Sequence, residues 1–577
     1  MKIVVIGGVA AGMSAAARAR RLSESAKIVV LERSRYVSFA NCGLPYHIGG
    51  DIQDREQLVL QTPQTLAESL NLDVRIGHEV VAINTAEKTI VVRELDTGIK
   101  YFEAYDKLVL SPGAKPIRPP LAGIDHPRIF TLRNIEDMDL IKSNVDEGVS
   151  RVVVIGGGYI GIEMAENLRH RNVEVILVEL AEQILSASLD PEMARDMQYH
   201  LQYHGVQLKL GTAASSFEDK DGKVLVHLND GSSVESDLVM LAVGVRPDVG
   251  LLKDTGIALG PRGGIQVNVH MQTSDPDVYA AGDAVEVKDT ITGNDALIAL
   301  AGPANRQGRI AADHIFGRYS TYQSTQGTAI VKVFEMTGGA TGATEKTLKQ
   351  QKIDFRKVYL HPSGHASYYP GTAPMHIKLL FAPENGRILG AQVVGYDGVD
   401  KRIDVFATAL RGNMTIYDLE MLELAYAPPY GSAKDPVNMA GFIASNMLKG
   451  DIEFWYAEDY PAITEGSMII DVRGTKEYET WHVPEAINIP LGKLRSQLDK
   501  LPKDQPLFLY CRVGFRSYLA HRILVQSGFS KVKTLAGGSK TFCSFHRTPL
   551  CTGRPGIPFV PHAEEKLAEQ AKDSTCA

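Results

Sequence analysis

An α/β protein with several domains is the fold class that the sequence predicts, and three observations support it. The chain has 577 residues, which is too long for one hydrophobic core and suggests roughly three or four domains. A short apolar run leads into a glycine-rich turn and a helical pattern at residues 2–22 and again at 151–170. A further apolar run at 468–471 opens another such pattern near the carboxyl end. This alternation is typical of parallel sheets covered by helices.

The composition excludes several classes of function. The net charge of −7, without a basic stripe, argues against nucleic-acid binding. No apolar run is long enough to cross a bilayer, so we expect no membrane segment. The cysteines follow no disulfide framework, which favours a reducing cytoplasm. They are at positions 42, 511, 543, 551 and 576.

The first glycine-rich turn predicts a dinucleotide-binding unit. Residues 2–6 form a predicted strand, and the turn from Gly7 to Gly12 leads into an alanine-rich helix whose amides would hold a pyrophosphate. The next predicted strand ends in Glu32, where a ribose hydroxyl contact requires an acid. Val9 replaces the central glycine of the usual fingerprint.

The same Rossmann-like unit recurs with all three fingerprint glycines, Gly156, Gly158 and Gly161. Its second predicted strand ends in Glu179. A chain with two such units most economically binds two dinucleotides. Because Glu179 would repel a 2′-phosphate and no arginine follows it, NADH is favoured, with NADPH as the alternative.

The stretch from residue 273 to 283 indicates flavin binding. A predicted strand there ends in Gly282 and Asp283. The carboxylate of Asp283 could accept a hydrogen bond from a flavin ribityl hydroxyl, and the following helix start could face the pyrophosphate. The alternative is an ordinary turn between a strand and a helix.

Cys42 lies in the stretch SFANCGLPY at residues 38–46 and is the only cysteine in the first 510 residues. Redox chemistry at Cys42 would therefore need a bound small thiol, an oxygen as in sulfenic acid, or a distant cysteine from another domain. The alternative is a buried structural thiol, because free cysteine packs like a small hydrophobic residue.

Taken in order, the glycine turn, the SFANCGLPY stretch, the second fingerprint and the YAAGD stretch at 279–283 resemble the two-dinucleotide flavoprotein disulfide reductases. The chain is most similar, over residues 1–445, to their single-cysteine branch, the coenzyme A-disulfide reductases and the NADH peroxidases or oxidases. The resemblance implies FAD in the first unit, NADH in the second, and Cys42 as the redox-active thiol over the flavin. The implied cofactor-binding residues are Gly7, Gly12, Glu32, Arg33, Asp283 and Ala311 for FAD, and Gly156, Gly158, Gly161 and Glu179 for NADH.

The SFANCGLPY stretch is similar to the coenzyme A branch in particular, and this implies a coenzyme A pocket. Arg18 and Arg21 are expected to share a helix face, which suits phosphate binding. The alternative is that the arginines of this helix, Arg20 included, only solvate its surface. The implied pocket residues are Ser14, Arg18, Arg21, Ser38, Asn41, Asn305 and Lys434.

From about residue 326 the pattern of mixed strands and helices resembles the α+β dimerisation domain of the same family. The resemblance implies a homodimer in which Tyr368 and Tyr426 reach the active site of the partner subunit. A phenol there could donate a proton or a hydrogen bond to a departing thiolate. The alternative is that these tyrosines only pack near a Pro-Pro turn.

A last α/β pattern brings Cys511 from a predicted strand into a six-residue loop that opens a helix. Backbone amides, the helix dipole and flanking arginines would stabilise an anionic sulfur there. The DVR, HVPEAINIP, CRVGFR and LAGG stretches resemble a single-domain rhodanese, which implies that Cys511 carries sulfane sulfur. An inactive recognition module is the alternative. The remaining cysteines, Cys543, Cys551 and Cys576, match no metal-ligand spacing.

These patterns predict the domain organisation. The predicted segments are an FAD-binding domain at 1–150 and 246–325, an NAD(P)H-binding domain at 151–245, a dimerisation domain at 326–445, a linker at 446–457, a rhodanese domain at 458–545 and a tail at 546–577.

The two candidate sulfur sites suggest a single function. The leading hypothesis is an FAD- and NAD(P)H-dependent reductase of persulfide, polysulfide or coenzyme A-persulfide sulfur. Cys42 would attack the sulfur–sulfur bond, hydrosulfide would be released, and Cys511 would accept or deliver sulfane sulfur, with a coenzyme A arm as the shuttle. The alternatives are a coenzyme A-disulfide reductase with an auxiliary sulfurtransferase, an NADH peroxidase or oxidase, and a reductase that feeds electrons to a partner protein.

Overall fold

The protein is described by a computed structural model over residues 1–546. Cys551, Cys576 and nearly all of the predicted tail therefore lie outside the described residues. The chain forms two compact units: one contains residues 1–180 and 209–327, and the other contains 181–208 and the described residues from 328 onward. Within the described part of the chain, no helix is long and apolar enough to cross a membrane.

Residues 1–180 follow the predicted alternation of strands and helices. Short 3₁₀ helices cover Asn41–Gly43 and Arg55–Leu58. The strands and α-helices are β1 (Lys2–Ile6), α1 (Ala10–Leu22), β2 (Lys27–Glu32), α2 (Leu44–Gly49), α3 (Pro63–Leu70), β3 (Asp73–Ile76), β4 (His78–Asn84), β5 (Thr89–Glu94), β6 (Lys100–Ala104), β7 (Lys107–Leu110), β8 (Ala114–Pro116), β9 (Ile129–Phe130), α4 (Ile135–Asp146), β10 (Arg151–Ile155), α5 (Tyr159–His170) and β11 (Glu174–Glu179).

Residues 181–327 contain two longer helices and ten short strands, with a 3₁₀ helix at Gly250–Leu252. The strands and α-helices are α6 (Pro191–Tyr203), β12 (Gln207–Leu210), β13 (Ala214–Lys220), β14 (Lys223–Leu228), β15 (Ser233–Ser236), β16 (Leu238–Leu241), β17 (Val245–Pro247), β18 (Ile265–Gln266), β19 (Val278–Ala280), β20 (Val285–Lys288), β21 (Asp295–Ala296) and α7 (Ala301–Ile315).

Two five-stranded sheets organise the first unit. Their strand orders are β19–β7–β1–β2–β3 and β12–β11–β10–β16–β9. The central strands β1 and β10 pair in parallel with both neighbours, and Val4 and Val153 on them are fully buried. Each glycine turn therefore follows a central strand at the carboxyl edge of a sheet, where α/β folds bind nucleotides. This confirms the two predicted dinucleotide-binding folds.

The dimerisation-like region is built on an antiparallel sheet with the order β22–β23–β26–β25–β24. Every residue of Met375–Phe381 and Ile388–Gly395 is buried, so both faces of these two strands are covered. The elements are β22 (Ala329–Val333), β23 (Met336–Gly342), α8 (Glu345–Gln351), β24 (Arg356–Leu360), β25 (Met375–Phe381), β26 (Ile388–Gly395), α9 (Val399–Arg411), α10 (Ile416–Met421) and α11 (Pro436–Leu448).

The last domain has a sheet with the order β27–β31–β30–β28–β29, whose pairs are parallel. Short 3₁₀ helices cover Ala457–Asp459, Ala462–Thr464 and Arg495–Lys500. The elements are β27 (Phe454–Trp455), β28 (Met468–Asp471), α12 (Thr475–Thr480), β29 (Ile487–Asn488), α13 (Leu491–Leu494), β30 (Leu507–Tyr510), α14 (Phe515–Gln526), β31 (Val532–Leu535) and α15 (Gly538–His546).

The segment 181–208 belongs to the second unit, although the predicted boundaries give it to the NAD(P)H-binding domain. Met197 of α6 is fully buried, and a Cβ built on Gly338 of β23 would come within 2.4 Å of its sulfur. The N–H of Asp190 donates to the side chain of Gln392 in β26 at 2.8 Å. The apolar face of α6 is thus covered by the antiparallel sheet; the predicted domain boundaries otherwise stay a prediction.

Candidate active site and sulfur-carrying loop

Both glycine-rich turns leave no room for a side chain at their first and last glycines. Gly7 and Gly156 adopt the left-handed region, with φ of +96° and +111°. A Cβ at Gly12 would lie 1.9 Å from the carbonyl oxygen of Gly7, and a Cβ at Gly161 would lie 1.9 Å from that of Gly156. Helices α1 and α5 therefore start directly against their strands, with their first amides exposed to a ligand.

Glu32 and Glu179 close the two turns in the same way. The N–H of Gly8 donates to Glu32 Oε2 at 2.8 Å, and the N–H of Gly157 donates to Glu179 Oε2 at 2.5 Å. Each acid ends the strand beside the turn, the place where dinucleotide folds bind a ribose. Val9 is the N-cap residue of α1, so the departure from the fingerprint leaves the turn intact.

A cavity of about 540 Å³ opens at the first turn, within the size range of cofactor sites. Of the residues implied for FAD, the cavity is lined by Gly7, Gly12, Glu32, Arg33 and Asp283, together with Cys42 and Asn41. The tight glycine turn, the acid at the strand end and the cavity together fit a flavin dinucleotide. When bound, FAD would supply two-electron transfer between a nicotinamide and a sulfur.

Asp283 stands where the predicted strand ends. The N–H of Gly282 donates to the side chain of Gln307 at 2.8 Å, which fixes the approach of the chain to the cavity. Burial raises the pKa of Asp283, and the positive charge of Arg133, 3.9 Å away, opposes that rise.

Arg33 and Ala311 occupy different surroundings. Arg33 is exposed and lies 3.3 Å from Asp248 at the cavity. Ala311 lies on α7 and is fully buried in the hydrophobic core. It is not among the residues that line the cavity. Its place in the cofactor site therefore stays a prediction.

Cys42 lies in the 3₁₀ helix just before α2, exposed and lining the cavity. Its Sγ is 3.7 Å from Asn41 Oδ1. Surrounding atoms still desolvate the thiol in part, and this raises its pKa, with further repulsion from the carboxylates of Glu163 and Asp283. The alternative of a buried structural thiol is thus contradicted, and Cys42 can reach a substrate in the cavity.

Glu163 interacts electrostatically with Cys42, and no sequence motif predicts a role for it. It lies on α5, near the second glycine turn, and the hydroxyl of Tyr46 donates to it at 3.5 Å. Burial raises the pKa of Glu163 to about 7, Glu166 adds to the rise, and the bond from Tyr46 opposes it. A carboxyl group that titrates near neutrality therefore faces the candidate thiol.

Of the residues implied for coenzyme A, Ser14 and Asn305 are brought together, with Ser14 Oγ donating to Asn305 Oδ1 at 2.7 Å. Arg18 pairs with Asp313 at 2.7 Å, so its guanidinium is already neutralised by a carboxylate. Arg21, by contrast, is exposed. Arg20 is buried and donates to the carbonyls of Ser23, Glu24, Leu70 and Asn71. The alternative that these arginines only solvate the helix is therefore wrong for Arg20.

The remaining residues implied for coenzyme A are divided between the two units. The N–H of Ser38, whose φ is +48°, donates to the carbonyl of Gly8 at 2.8 Å, which places Ser38 against the first turn. Asn41 lines the cavity beside Cys42. Lys434 is exposed in the second unit.

Tyr368 and Tyr426 lie together on the surface of the second unit. Their hydroxyl groups are 2.9 Å apart, although 58 residues separate them in the chain. The side chains are 74% and 48% exposed, and the bond from Tyr426 raises the pKa of Tyr368. Two exposed phenols with joined hydroxyls do not pack a core, and they could donate to a ligand or a partner.

Cys511 sits at the base of the predicted six-residue loop, at the end of the central strand β30. Its side chain is 1% exposed. The N–H of Gly514 donates to its Sγ at 3.2 Å, and the hydroxyl of Ser517 donates at 3.5 Å. The loop therefore points donors at the sulfur, as an anionic thiolate or persulfide requires.

Ion pairs brace this loop. Arg516 makes two hydrogen bonds to Glu477, at 2.6 and 2.8 Å, and these lower the pKa of Glu477 to about 2. Behind the loop, the hydroxyl of Tyr510 donates to the buried Asp471 at 2.8 Å. From α15, the N–H of Ser539 donates to the carbonyl of Cys511 at 2.8 Å. The loop around Cys511 is thus held by contacts with α12, β28 and α15.

Comparisons with known proteins agree with this geometry. The pyridine nucleotide-disulphide oxidoreductase profile matches residues 1–308, more than half of the chain. This chain is a member of the pyridine nucleotide-disulphide oxidoreductase family. Members of the family use FAD and NAD(P)H. The dimerisation domain of the same family matches residues 328–436, and a rhodanese-like domain matches 457–544.

Three relatives have a stated activity or architecture. The coenzyme A disulfide reductase of Staphylococcus haemolyticus is 35% identical over 448 residues, which cover 77% of this oxidoreductase and 100% of that protein. The reduced CoADR-RHD of Bacillus anthracis is 48% identical, with a TM-score of 0.92 over 94% of this chain and 98% of that chain. The NAD-dependent persulfide reductase of A. fulgidus is 35% identical, with a TM-score of 0.89 over 94% and 100%.

Proposed function

We propose that this oxidoreductase reduces persulfide, polysulfide or coenzyme A-persulfide sulfur at Cys42 and that Cys511 carries or delivers the sulfane sulfur. The observation that carries the proposal is the presence of two different sulfur sites in one chain. Cys42 is exposed at the cofactor cavity, whereas Cys511 is enclosed in a cradle of hydrogen-bond donors. The first suits attack on a substrate, and the second suits storage of an anionic sulfur.

The reaction balances with one nicotinamide per sulfur. The Cys42 thiolate attacks the outer sulfur of R–S–SH, the S–S bond breaks, and R–SH leaves with a proton, so that Cys42 holds a persulfide. Two electrons, which NAD(P)H and FAD would supply when bound, split that persulfide into hydrosulfide and the Cys42 thiolate, and the proton left over from the hydride balances the one that the leaving thiol takes up. Glu163, with a pKa of about 7, is suited to hold the proton that the leaving thiol needs.

NADH is the preferred nicotinamide in this proposal. The acid at the end of β11, Glu179, already accepts a bond from the second glycine turn, and its charge would repel a 2′-phosphate. A relative of 35% identity is an NAD-dependent persulfide reductase. The preference is tested by comparing kcat/KM for the two nicotinamides. We expect the value for NADH to be at least about tenfold higher than the value for NADPH.

Coenzyme A is the proposed carrier of the substrate sulfur, and a homodimer is the proposed assembly. Ser14 and Asn305 meet on facing helices near the glycine turn, and Asn41 lies next to Cys42 at the cavity. The phenols of Tyr368 and Tyr426 are exposed on the dimerisation domain. In the proposed dimer they would hydrogen-bond the leaving thiolate in the partner subunit.

The deciding experiment follows anaerobic NADH oxidation and hydrosulfide release. Coenzyme A persulfide, polysulfide and coenzyme A disulfide are compared as substrates of the wild type and of Cys511→Ser. We expect the persulfide to be used at least about tenfold faster than the disulfide and polysulfide use to fall in Cys511→Ser. Equal use of the disulfide, with no effect of Cys511→Ser, would contradict the proposal.

Coenzyme A-disulfide reduction is the second candidate, because the Staphylococcus haemolyticus enzyme of that activity aligns over its whole length. In that case the rhodanese-like domain would be an auxiliary sulfurtransferase. The same comparison separates the two: a faster rate with coenzyme A disulfide than with the persulfide supports this second candidate.

A further inference from the structure

Two histidines and a glutamate form a compact cluster in the second unit, in a region to which the proposed sulfur chemistry gives no role. His200 lies in the last turn of α6, and His204 is its C-cap residue. Their Nε2 atoms are 3.1 and 2.9 Å from the same oxygen, Oε2 of Glu335. The nitrogen and oxygen ligand atoms of all three residues lie within 4.8 Å of one another.

The sequence and the backbone both aim these groups at one point. A spacing of four residues places the two imidazoles on one helix face. Glu335 comes from the tight turn between β22 and β23, where Val333 pairs with Met336. In that turn Phe334 has φ of +51°, a costly conformation for a bulky residue, which persists only where the surroundings enforce it.

Ring packing fixes the two imidazoles. The ring of His204 stacks on Phe334, with centroids 3.8 Å apart and planes 9° apart. His200 meets Tyr396 edge-on, with centroids 5.6 Å apart and planes 81° apart. Both rings are therefore oriented before any ligand arrives, which reduces the entropy lost on binding.

The polar contacts of His200 converge on Glu335. The side chain of His200 is fully buried, and its Nδ1 has no hydrogen-bond partner among residues 1–546. Its Nε2, which faces Glu335, is thus the atom through which the ring meets its polar requirement.

We propose that His200, His204 and Glu335 form a binding site for a divalent transition-metal ion of the zinc class. Two imidazole nitrogens and one carboxylate oxygen are a donor set that Zn²⁺ takes, with a fourth position for water. Glu335 is 63% exposed, which leaves that position accessible to solvent. Ligands about 2.0–2.1 Å from a tetrahedral ion are roughly 3.3 Å apart, so the two distances from an imidazole Nε2 to Glu335 Oε2 need to lengthen by only a few tenths of an ångström.

A bound ion would join two parts of the chain. Helix α6 belongs to the segment 181–208, and Glu335 belongs to the sheet that begins at β22. The ion would therefore fasten α6 to the β22–β23 turn. Without an ion, the same geometry is explained by a hydrogen bond between His200 Nε2 and Glu335 Oε2, with His204 Nε2 lying 2.9 Å from the same oxygen.

The test measures Zn²⁺ binding to the holoenzyme after its accessible thiols have been blocked with iodoacetamide, because thiolates also bind zinc. Equilibrium dialysis with metal analysis should find one tight Zn²⁺ per wild-type chain. Glu335→Gln removes the carboxylate charge at an exposed position and should weaken this binding at least about tenfold. His227→Gln is the matched control: His227 lies 3.1 Å from Glu218, and neither residue belongs to a cluster of three potential ligands among the described residues.

His204→Gln is the second variant, since His200 is too deeply buried for a safe replacement. The melting temperature gives an independent readout, because a ligand of the folded state stabilises it. Zn²⁺ should raise the melting temperature of the wild type and of His227→Gln but not of Glu335→Gln or His204→Gln. Absence of a stoichiometric site in the thiol-blocked wild type, or equal binding in all four proteins, would show a hydrogen-bonded cluster only and overturn the inference.

Discussion

Cys42 and Cys511 are both free thiols among the described residues, but their surroundings differ in a way that separates their roles. Cys42 is exposed, and partial desolvation raises its pKa, with further repulsion from the carboxylates of Glu163 and Asp283. Cys511 is buried, and Gly514 and Ser517 donate hydrogen bonds to its sulfur. In the proposed function, the substrate comes to the exposed thiol of Cys42, and the donors around Cys511 hold a sulfur that has already been transferred to it.

Replacement of the attacking thiol is the most direct residue-scale test. Cys42→Ser should lower NADH-dependent reduction of persulfide and disulfide substrates by about a thousandfold or more, because the alcohol is a far poorer nucleophile toward sulfur. Steady-state NADH oxidation measures the loss, and flavin content per chain shows that the fold is kept. A near-normal rate in Cys42→Ser would remove Cys42 from the reaction.

The charge of Glu163 should be visible in the reactivity of Cys42. Above a pH of about 7, Glu163 is ionised and repels the thiolate; below that pH it is neutral and does not. Glu163→Gln should therefore move the midpoint of Cys42 alkylation by iodoacetamide to lower pH, because a source of repulsion is lost.

The control for this measurement is Glu68→Gln, which changes an exposed carboxylate on α3. Its alkylation profile should superimpose on that of the wild type. If the Glu163→Gln profile also superimposes, electrostatic coupling between Glu163 and Cys42 is excluded.

At the scale of elements, the turns after β1 and β10 are the expected cofactor-binding positions, and the effect of their tightness is testable. Gly12→Ala would place a Cβ 1.9 Å from the carbonyl of Gly7. Overpacking of this kind costs about 1–3 kcal/mol, so FAD retention should weaken about ten- to a hundredfold. Flavin absorbance per chain after dialysis measures it.

Gly302→Ala is the matched control for that helix start. It changes a glycine in α7 whose added Cβ would meet only the Arg306 side chain, at 3.8 Å. This variant should keep its flavin. Equal flavin loss in both variants would mean that the turn after β1 is not the site of binding.

Local elements were predictable from the sequence because their signals are local. The strand–turn–helix units around Gly7, Gly156 and Cys511 each need only neighbouring residues, and all three are confirmed as folds. The contacts of their side chains were not predictable. Arg18, expected to bind phosphate, pairs with Asp313, which is 295 residues away in the chain.

Glu163 was missed for the same reason. Its neighbour Tyr46 is 117 residues away, and no local pattern marks a carboxyl group that burial shifts toward neutrality. The pairing of the Tyr368 and Tyr426 hydroxyls is equally non-local. A third limit was the segment 181–208, whose helical pattern says nothing about which sheet will cover its apolar face.

At the scale of the whole molecule, polar side chains join the rhodanese-like domain to the antiparallel sheet β22–β23–β26–β25–β24 of the dimerisation domain. His361, which follows β24, is 2.9 Å from the hydroxyl of Thr541 on α15, and its ring stacks on His376 with centroids 4.3 Å apart. Burial lowers the pKa of His361 well below its usual value, and His376, Lys540 and Arg512 add repulsion. The contact therefore requires a neutral ring.

The packing of this domain should weaken in acid. The folded pKa of His361 lies below the unfolded value, so the unfolded chain binds the proton more readily and stability falls as the pH drops below about 6.5. Hydrogen exchange across residues 457–546 should accelerate between pH 7 and pH 5, after correction for intrinsic exchange, and less so in His361→Gln. The same acceleration in both proteins would exclude His361 as the cause.

The detour of residues 181–208 into the second unit has a practical consequence for exchanging parts between relatives. The backbone passes from one unit to the other at residues 180/181, 208/209 and 327/328. A chimera joined once, near residue 327, would combine the α6 of one protein with the β23 and β26 of another. Met197 would then meet a foreign surface where Gly338 now leaves it room. A functional exchange of the carboxyl-terminal part must therefore transplant two separate stretches of the gene.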